Sequence, residues 1–150
     1  MALPMAGLWL LLARPEVDAH WQHNPTHFWL VAGVAVINVV LAFRITDEAT
    51  RRQDARLFLV SLAFQVSAAF IGLHALATPQ VLLTGGNAGF TIASPVGLFA
   101  ASVIVAFSSL EFSTALAQRI LHRQRLLRFS VTGLILVWAF LSLNDLSQRT

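Results

Sequence analysis

The sequence predicts an all-α integral membrane protein, a bundle of four transmembrane helices with a short interfacial helix at the N-terminus. Two observations support this prediction. First, 57% of the 150 residues are hydrophobic and 11% are charged, and the mean hydropathy is +0.71, whereas soluble domains carry more charge. Second, residues 57–77 are an apolar stretch that would form a helix about 30 Å long, the thickness of a hydrocarbon core.

This apolar stretch is the second predicted span, and its limits are marked by polar residues and proline. The spacing of Thr50 and Gln53 is that of a capping box, which predicts the start of the helix, and Pro79 is expected to end it. Gln65 and His74 are its two strongly polar side chains. Because polar groups inside a membrane normally have partners, other parts of the chain should supply them.

Residues 1–26 are predicted to be an interfacial segment on the outer side. The apolar run 3–13 is too short to cross a bilayer and lacks the basic start of a secretion signal, although a signal peptide remains an alternative. Trp9 suits a helix lying at the headgroups. Asn24 and Pro25 predict the start of the first transmembrane helix, as cap and first helical residue.

Arginine is distributed unequally between the predicted connections, and this sets the orientation. The four spans are expected at residues 27–43, 57–77, 91–111 and 126–143. By the positive-inside rule, the pattern predicts a multi-pass membrane protein with both termini outside. The basic residues near the inner ends are Arg44, Arg51, Arg52, Arg56, Arg119, Arg123, Arg125 and Arg128, against Arg14 and Arg149 outside.

Two amides are expected at one depth in neighbouring spans. Asn38 lies roughly 16 Å and Gln65 roughly 18 Å below the outer ends of their helices, so antiparallel packing would bring them level as a structural polar pair. In the alternative, each amide bonds its own helix backbone or a polar group on another span. Helix packing is also predicted from the small residues of the third span, which are Gly97, Ala101, Ser102 and Ala106.

Histidines near the outer surface form a candidate cofactor or metal site. His27 opens the first span and His74 lies about one turn inside the outer end of the second, so the two rings are expected at one level. Haem would use His27 and His74, whereas Zn or Cu would recruit two or three of His20, His23 and His27 with His74. The alternative is structural: His74 bonds a neighbouring carbonyl or the Asn87 loop, and the N-terminal histidines face water.

Other classes of function are not expected from this composition. There is no cysteine, which excludes disulfides and thiolate sites. An enzyme is not predicted, since no nucleophile lies in a known motif and no carboxylate pair lies in a span. The net charge of +3 is placed around the spans, where it favours contact with the lipid bilayer and its headgroups over any nucleic acid.

Four ordered motifs carry a resemblance to a known class of membrane region. HNPTHFWLV, RRQDARLFLVSLAF, GLHALATP and NAGFTIASPVGL resemble the N-terminal multi-pass sensor region of bacterial signalling proteins, placed before adenylate or guanylate cyclase domains. The resemblance spans roughly residues 24–105. It implies an input module in a bacterial inner (cytoplasmic) membrane that responds to an external or membrane-borne cue. The sequence departs from the pattern because no catalytic domain follows, and a C-terminus outside would require a further span to reach a cytoplasmic output.

The predicted function is therefore a membrane-embedded sensor or small signalling protein. The alternative is an accessory subunit of a membrane complex, either structural or holding haem or a metal through its outer histidines. In both cases a homo-oligomer or a larger membrane-protein complex is expected. Colour on purification would favour a cofactor, and stability that depends on a partner would favour a structural subunit.

Overall fold

A computed structural model describes residues 24–76, 78, 81 and 88–147, together with Trp9 and Ala13. The predicted interfacial helix lies mostly outside these residues. So do His20 and His23, the first two histidines of the predicted metal site.

The described chain is helical, as predicted. In chain order the helices are α1 (Asn24–Arg52), α2 (Ala55–Leu76), α3 (Ala88–Thr91), α4 (Ala93–Ser108), α5 (Thr114–His122) and α6 (Gln124–Ser147). Three of them, α1, α2 and α6, are long and apolar enough to cross a membrane, which confirms the all-α class and the membrane character. The fourth expected span is the shorter helix α4, so the count of four is not established by length alone.

α1 continues past its predicted end at residue 43 and includes most of the charged connection. The hydroxyl of Thr46 donates to the carbonyl of Ala42 at 2.7 Å, and that of Thr50 donates to the carbonyl of Thr46 at 2.9 Å. Polar side chains that bond back to the same helix satisfy themselves without ending it. The connection between the first two helices is therefore much shorter than predicted.

The capping box predicted at Thr50 and Gln53 is wrong. Thr50 lies within α1, and Gln53 has a positive φ of 53°, which ends that helix. The cap of α2 is Asp54, whose Oδ1 accepts hydrogen bonds from the backbone N–H groups of Arg56 at 2.9 Å and Leu57 at 3.1 Å. A carboxylate at this position satisfies amides that have no partner within the helix.

α2 is the central helix of the fold. In its most apolar stretch 44% of the residues are buried, compared with 11% in α1 and 6% in α6. α1, α4 and α6 each pack against it, while α1 and α6 make few contacts with each other. The arrangement is three helices around a central one, which leaves grooves between the outer helices.

Alanine forms the contact between α1 and α2. Ala35, Ala42 and Ala49 recur every seven residues and are buried, a spacing that keeps one face of a helix against its neighbour. Close approach is visible at Gly72, where an added Cβ would lie 3.9 Å from the Cβ of Ala35. Nearer the turn between these two helices, the hydroxyl oxygen of Thr46 lies 3.0 Å from Ser61 Oγ.

Glycine forms the contact between α2 and α4. A Cβ added at Gly97 would lie 2.2 Å from the Cβ of Phe70, so the two helices touch there with no space for a side chain. Ala101, one turn further along, is also buried, whereas Ser102 and Ala106 are exposed. Half of the predicted small residues therefore lie in this contact and half face away from it.

The remaining surface of the outer helices is strongly apolar. Large side chains on α4 and α6 are exposed, including Phe99 and Phe129, each at 73%, and Leu134 at 71%. Such continuous exposure would be unfavourable in water and is typical of a surface covered by lipid tails. The fold therefore has a lipid-facing exterior around a core centred on α2.

Candidate functional site

The two predicted histidines meet at the end of the molecule where α1 begins and α2 ends. Because α1 and α2 are antiparallel, the start of α1 meets the end of α2. The ring centroids of His27 and His74 lie 6.1 Å apart, with the ring planes at 80°. This is the juxtaposition that the depth estimate predicted, and the binding of a metal or haem there stays a prediction.

His74 also contacts the backbone of α3. Its Nδ1 lies 3.2 Å from the carbonyl oxygen of Thr91. Pro95 follows Thr91 by four residues and has no N–H to donate to that carbonyl, so an Nδ1–H of His74 can take this position. That tautomer leaves the Nε2 lone pair of His74 available as an acceptor or a ligand.

The metal-binding capacity of this end rests on two imidazoles. Within the described residues no group of three or more His, Cys, Asp or Glu side chains is close enough to hold a metal ion. His27 and His74 would supply two nitrogen ligands for Zn, Cu or haem iron, and the carbonyl contact of His74 is the kind that orients a ligating histidine. Further ligands would have to come from residues outside that range, such as His20 and His23.

α3 is held in place beside the histidines by aromatic residues. Phe90 is buried with 1% of its surface exposed. Trp138 of α6 donates from Nε1 to the carbonyl of Gly89 at 3.2 Å, and its ring meets that of Phe70 at a centroid distance of 5.6 Å. Trp138 is not among the residues singled out from the sequence, although a tryptophan near a span end is a recognisable interfacial anchor.

The amides of Asn38 and Gln65 do not form the predicted pair. The Nδ2 of Asn38 donates to its own helix, to the carbonyl of Val34 at 2.8 Å. Gln65 contacts α6 instead, where its Nε2 donates to Thr132 Oγ1 at 2.9 Å. The two amides face different neighbours, because depth along a helix does not determine rotation about its axis.

Gln65 belongs to a polar cluster with Arg128 and Thr132. The Nε of Arg128 donates to Gln65 Oε1 at 3.3 Å, and Gln65 Nε2 also lies 3.4 Å from the Arg128 carbonyl. The guanidinium carbon of Arg128 lies 5.1 Å from the ring centroid of Phe43 on α1, within the range of a cation–π contact. This cluster therefore joins all three of the long helices.

A groove of about 580 Å³ opens between α1, α2 and α6 beside this cluster. Two alanines of α2 line it, and larger apolar side chains come from α1 and α6. Arg125 and Arg128 line the same groove and place positive charge near the start of α6. Its apolar lining residues are Val39, Ala42, Phe43, Ala68, Ala69, Phe129, Ile135 and Leu136.

α1 and α6 are also joined by a polar contact near the start of α6. The hydroxyl of Thr50 on α1 lies 3.3 Å from Gln124 Oε1 on α6. The role of Arg128 in the groove is not among the sequence predictions, which place it only near the end of a span. The available signal was the spacing of Arg128 and Thr132, four residues apart, which places both on one helical face.

No known protein family, curated protein or solved structure matches this chain. The function must therefore be argued from the geometry of these two sites.

Proposed function

We propose that the chain is a membrane-embedded input module that responds to a membrane-borne cue bound in the groove between α1 and α6. The observation that carries the proposal is the groove itself, with the Gln65–Arg128–Thr132 cluster in its wall. Small-molecule sites are typically apolar cavities of this size with a few placed polar groups. Intramembrane polar groups of this kind are commonly functional.

The packing around the groove supports a conformational response. α1 is fixed to α2 by its buried alanines, whereas α6 contacts α1 mainly through Arg128 with Phe43 and Thr50 with Gln124. A ligand entering between α1 and α6 would change their separation while leaving α1 on α2. The bridge at Thr50 and Gln124 would transmit this change to the inner surface.

The same proposal places four spans in a bacterial inner membrane, with both termini outside. The support for a fourth span is the backbone hydrogen bonding between α3 and α4. The N–H of Ile92 donates to the carbonyl of Ala88 at 3.0 Å, and the N–H of Val96 donates to the carbonyl of Ile92 at 3.2 Å. Hydrogen bonding therefore continues from α3 into α4, and residues 88–108 together measure about 30 Å. A homo-oligomer or a larger complex is also proposed, supported by the exposed small residues Ser102 and Ala106, which permit close helix contacts.

Cysteine labelling tests this topology in a chain that has no cysteine of its own. Single cysteines are introduced at Thr50, Asn87 and Gln124 and treated with an impermeant reagent on intact cells. The proposal expects labelling at Asn87 alone. Labelling at Thr50 would reverse the orientation.

Spin-label distances test the input function. Labels at Arg51 and Arg123 lie beside the bridge without replacing Thr50 or Gln124. We expect the distance distribution between them to differ between nanodiscs of bacterial inner-membrane lipid extract and nanodiscs of pure phosphatidylcholine. Labels at Arg51 and Arg56, across the α1–α2 turn, serve as the matched control and should not change. An identical distribution for the first pair in both lipids would contradict the proposal.

A second candidate function is an accessory subunit that holds a transition metal or haem at the outer surface. The observation that favours it is the 6.1 Å separation of the His27 and His74 rings, with His74 oriented by the Thr91 carbonyl. Nitrogen–metal bonds of about 2 Å allow two imidazoles to share an ion at such a separation.

Metal analysis and a visible absorption spectrum of the purified protein test this second function. Replacing His74 with Ala should abolish the bound metal or the haem band. Replacing His122 with Ala on α5 is the control, because that residue lies far from the pair, and the content should stay unchanged. Equal metal content in the wild type and His74→Ala would leave His74 with its structural contact alone.

A further inference from the structure

We infer that the groove binds a long-chain fatty acid, with its carboxylate at Arg125 and Arg128 and its acyl chain along α6. This inference rests on the proposed input function, because the fatty acid is the cue only if the chain is an input module. It names the chemical class of the ligand, which neither the proposed function nor the sequence specifies.

The positive charge of Arg125 and Arg128 in the groove favours an anionic ligand. Arg128 uses its Nε for Gln65 and places its guanidinium against Phe43. In the described part of the chain, the side-chain ion pair is Arg52 with Glu48, so no carboxylate neutralises Arg125 or Arg128. A partly buried guanidinium without a counter-ion is costly, and its terminal N–H groups suit a bidentate carboxylate.

The position of these arginines in α6 adds to the attraction. Arg125 and Arg128 lie in the first turns of a 24-residue helix whose first turn contains no acidic residue. The amide dipoles at the start of a helix favour negative charge. The positive field is therefore concentrated at one end of the groove.

The remainder of the groove is apolar and of limited length. From Arg125 to Leu136 the rise along α6 is about 16 Å, roughly half of a 30 Å hydrocarbon core and so the depth that one acyl chain covers in a leaflet. Phe129, Ile135 and Leu136 line this path. A groove of about 580 Å³ has room for one acyl chain, which suits a single-chain amphiphile.

The polar groups in the wall are already satisfied by one another. Gln65 and Thr132 share a hydrogen bond of 2.9 Å, and Thr132 Oγ1 also donates to the Arg128 carbonyl at 2.9 Å. These groups need no hydrogen bond from a ligand. The guanidinium of Arg128 is therefore left to bind the polar end of the ligand. Recognition is thus expected to depend on charge at one end and on chain length at the other.

Photolabelling of the whole chain in phosphatidylcholine nanodiscs tests this inference. The probe is a palmitate that carries a diazirine in its chain. We expect labelled peptides from α1 and α6 around Phe43 and Phe129, and competition by unlabelled palmitate but not by hexadecanol, which has the same chain and no charge. Equal competition by hexadecanol would overturn the role of the arginines.

Variants give the quantitative form of the test. Arg128→Gln should weaken palmitate competition at least tenfold. Arg128→Lys keeps the charge but loses the two parallel N–H donors that bind a carboxylate, and it should weaken competition less. Arg119→Gln on α5 removes one charge at the same membrane surface and is the matched control, with an expected change below twofold. Equal palmitate competition in wild type and Arg128→Gln would contradict the inference.

Ala69→Leu provides a second variant in case Arg128→Gln fails to fold. The added side chain fills the groove without touching its charge, so labelling should be lost while the helical circular dichroism is retained. Full labelling in this folded variant would place the acyl chain elsewhere. Complete competition by phosphatidylglycerol in the nanodisc would show a phospholipid site and overturn the assignment to a single-chain acid.

The two proposals fail in distinguishable ways. If palmitate binds as expected but the Arg51–Arg123 label distance does not respond to it, the site stands and the input function fails. If that distance responds to bacterial lipid extract while palmitate does not bind, the input function stands and the fatty-acid assignment fails.

Discussion

The two faces of α2 are packed in opposite ways, although one helix supplies both. Against α4 the contact is closed, because Gly97 brings the backbones together at Phe70. Against α6 the contact is open, with a groove of about 580 Å³ and a polar cluster around Gln65. The difference teaches that small residues set how closely membrane helices approach, whereas a long polar side chain holds its neighbour at a distance.

Gly97→Ala should disrupt the closed face and have the largest effect. The new Cβ would lie 2.2 Å from the Cβ of Phe70, so the backbones must separate. We expect a loss of about 1–3 kcal/mol in the free energy of unfolding, as for other overpacked cores. Unfolding by SDS in mixed micelles, followed by circular dichroism, measures it.

Gly133→Ala is the matched control for this substitution. A Cβ at Gly133 meets nothing within 4 Å, and alanine is the better helix former by about 1 kcal/mol. This variant should therefore be unchanged or slightly stabilised. If Gly97→Ala behaves in the same way as Gly133→Ala, the closed contact between α2 and α4 is incorrect.

Asp54→Ala should have an intermediate effect that does not distinguish the two faces. Asp54 caps α2 through two backbone amides, and loss of such a cap costs about 1 kcal/mol. Asp54→Asn retains a capping oxygen and should recover most of the loss in the same SDS titration. An equal loss in both variants would argue against the capping role.

Gln65→Leu tests the open face and should have the smallest effect on stability. Side-chain hydrogen bonds inside membranes contribute about 0.6 kcal/mol on average. In double-mutant cycles, Gln65→Leu should be coupled to Thr132→Val and additive with Asn38→Leu. Coupling to Asn38 without coupling to Thr132 would restore the pairing that the sequence suggested.

The sequence predicts helix positions better than it predicts helix faces. Hydropathy located α2 within two residues at its start and one at its end, because the bilayer requires that length of apolar chain. Depth also placed His27 and His74 at one level. The partner of Gln65 was not predictable in this way, since α1, α4 and α6 all offer residues at its depth.

Two boundary errors have a common physical cause. The charged end of α1 was expected to be a loop, and the cap of α2 was assigned to Thr50 and Gln53. Thr46 and Thr50 bond back to their own helix, and this option is not visible in residue type alone. The central position of α2 was also not predictable, because α1, α2 and α6 have similar hydropathy although α2 is far more buried than the other two.

The central place of α2 has a consequence for how the chain assembles during synthesis. α1 packs against α2, the next helix made, so the first partner of α1 is its immediate successor. Such local pairing keeps the sequence separation of contacts small and favours rapid folding. α6 follows α4 in the chain and joins α1, α2 and α4, which can already pack together. A nascent chain stalled before α6 should therefore already protect Ala35 and Ala42 from lipid, while the groove between α1 and α6 forms only when α6 arrives.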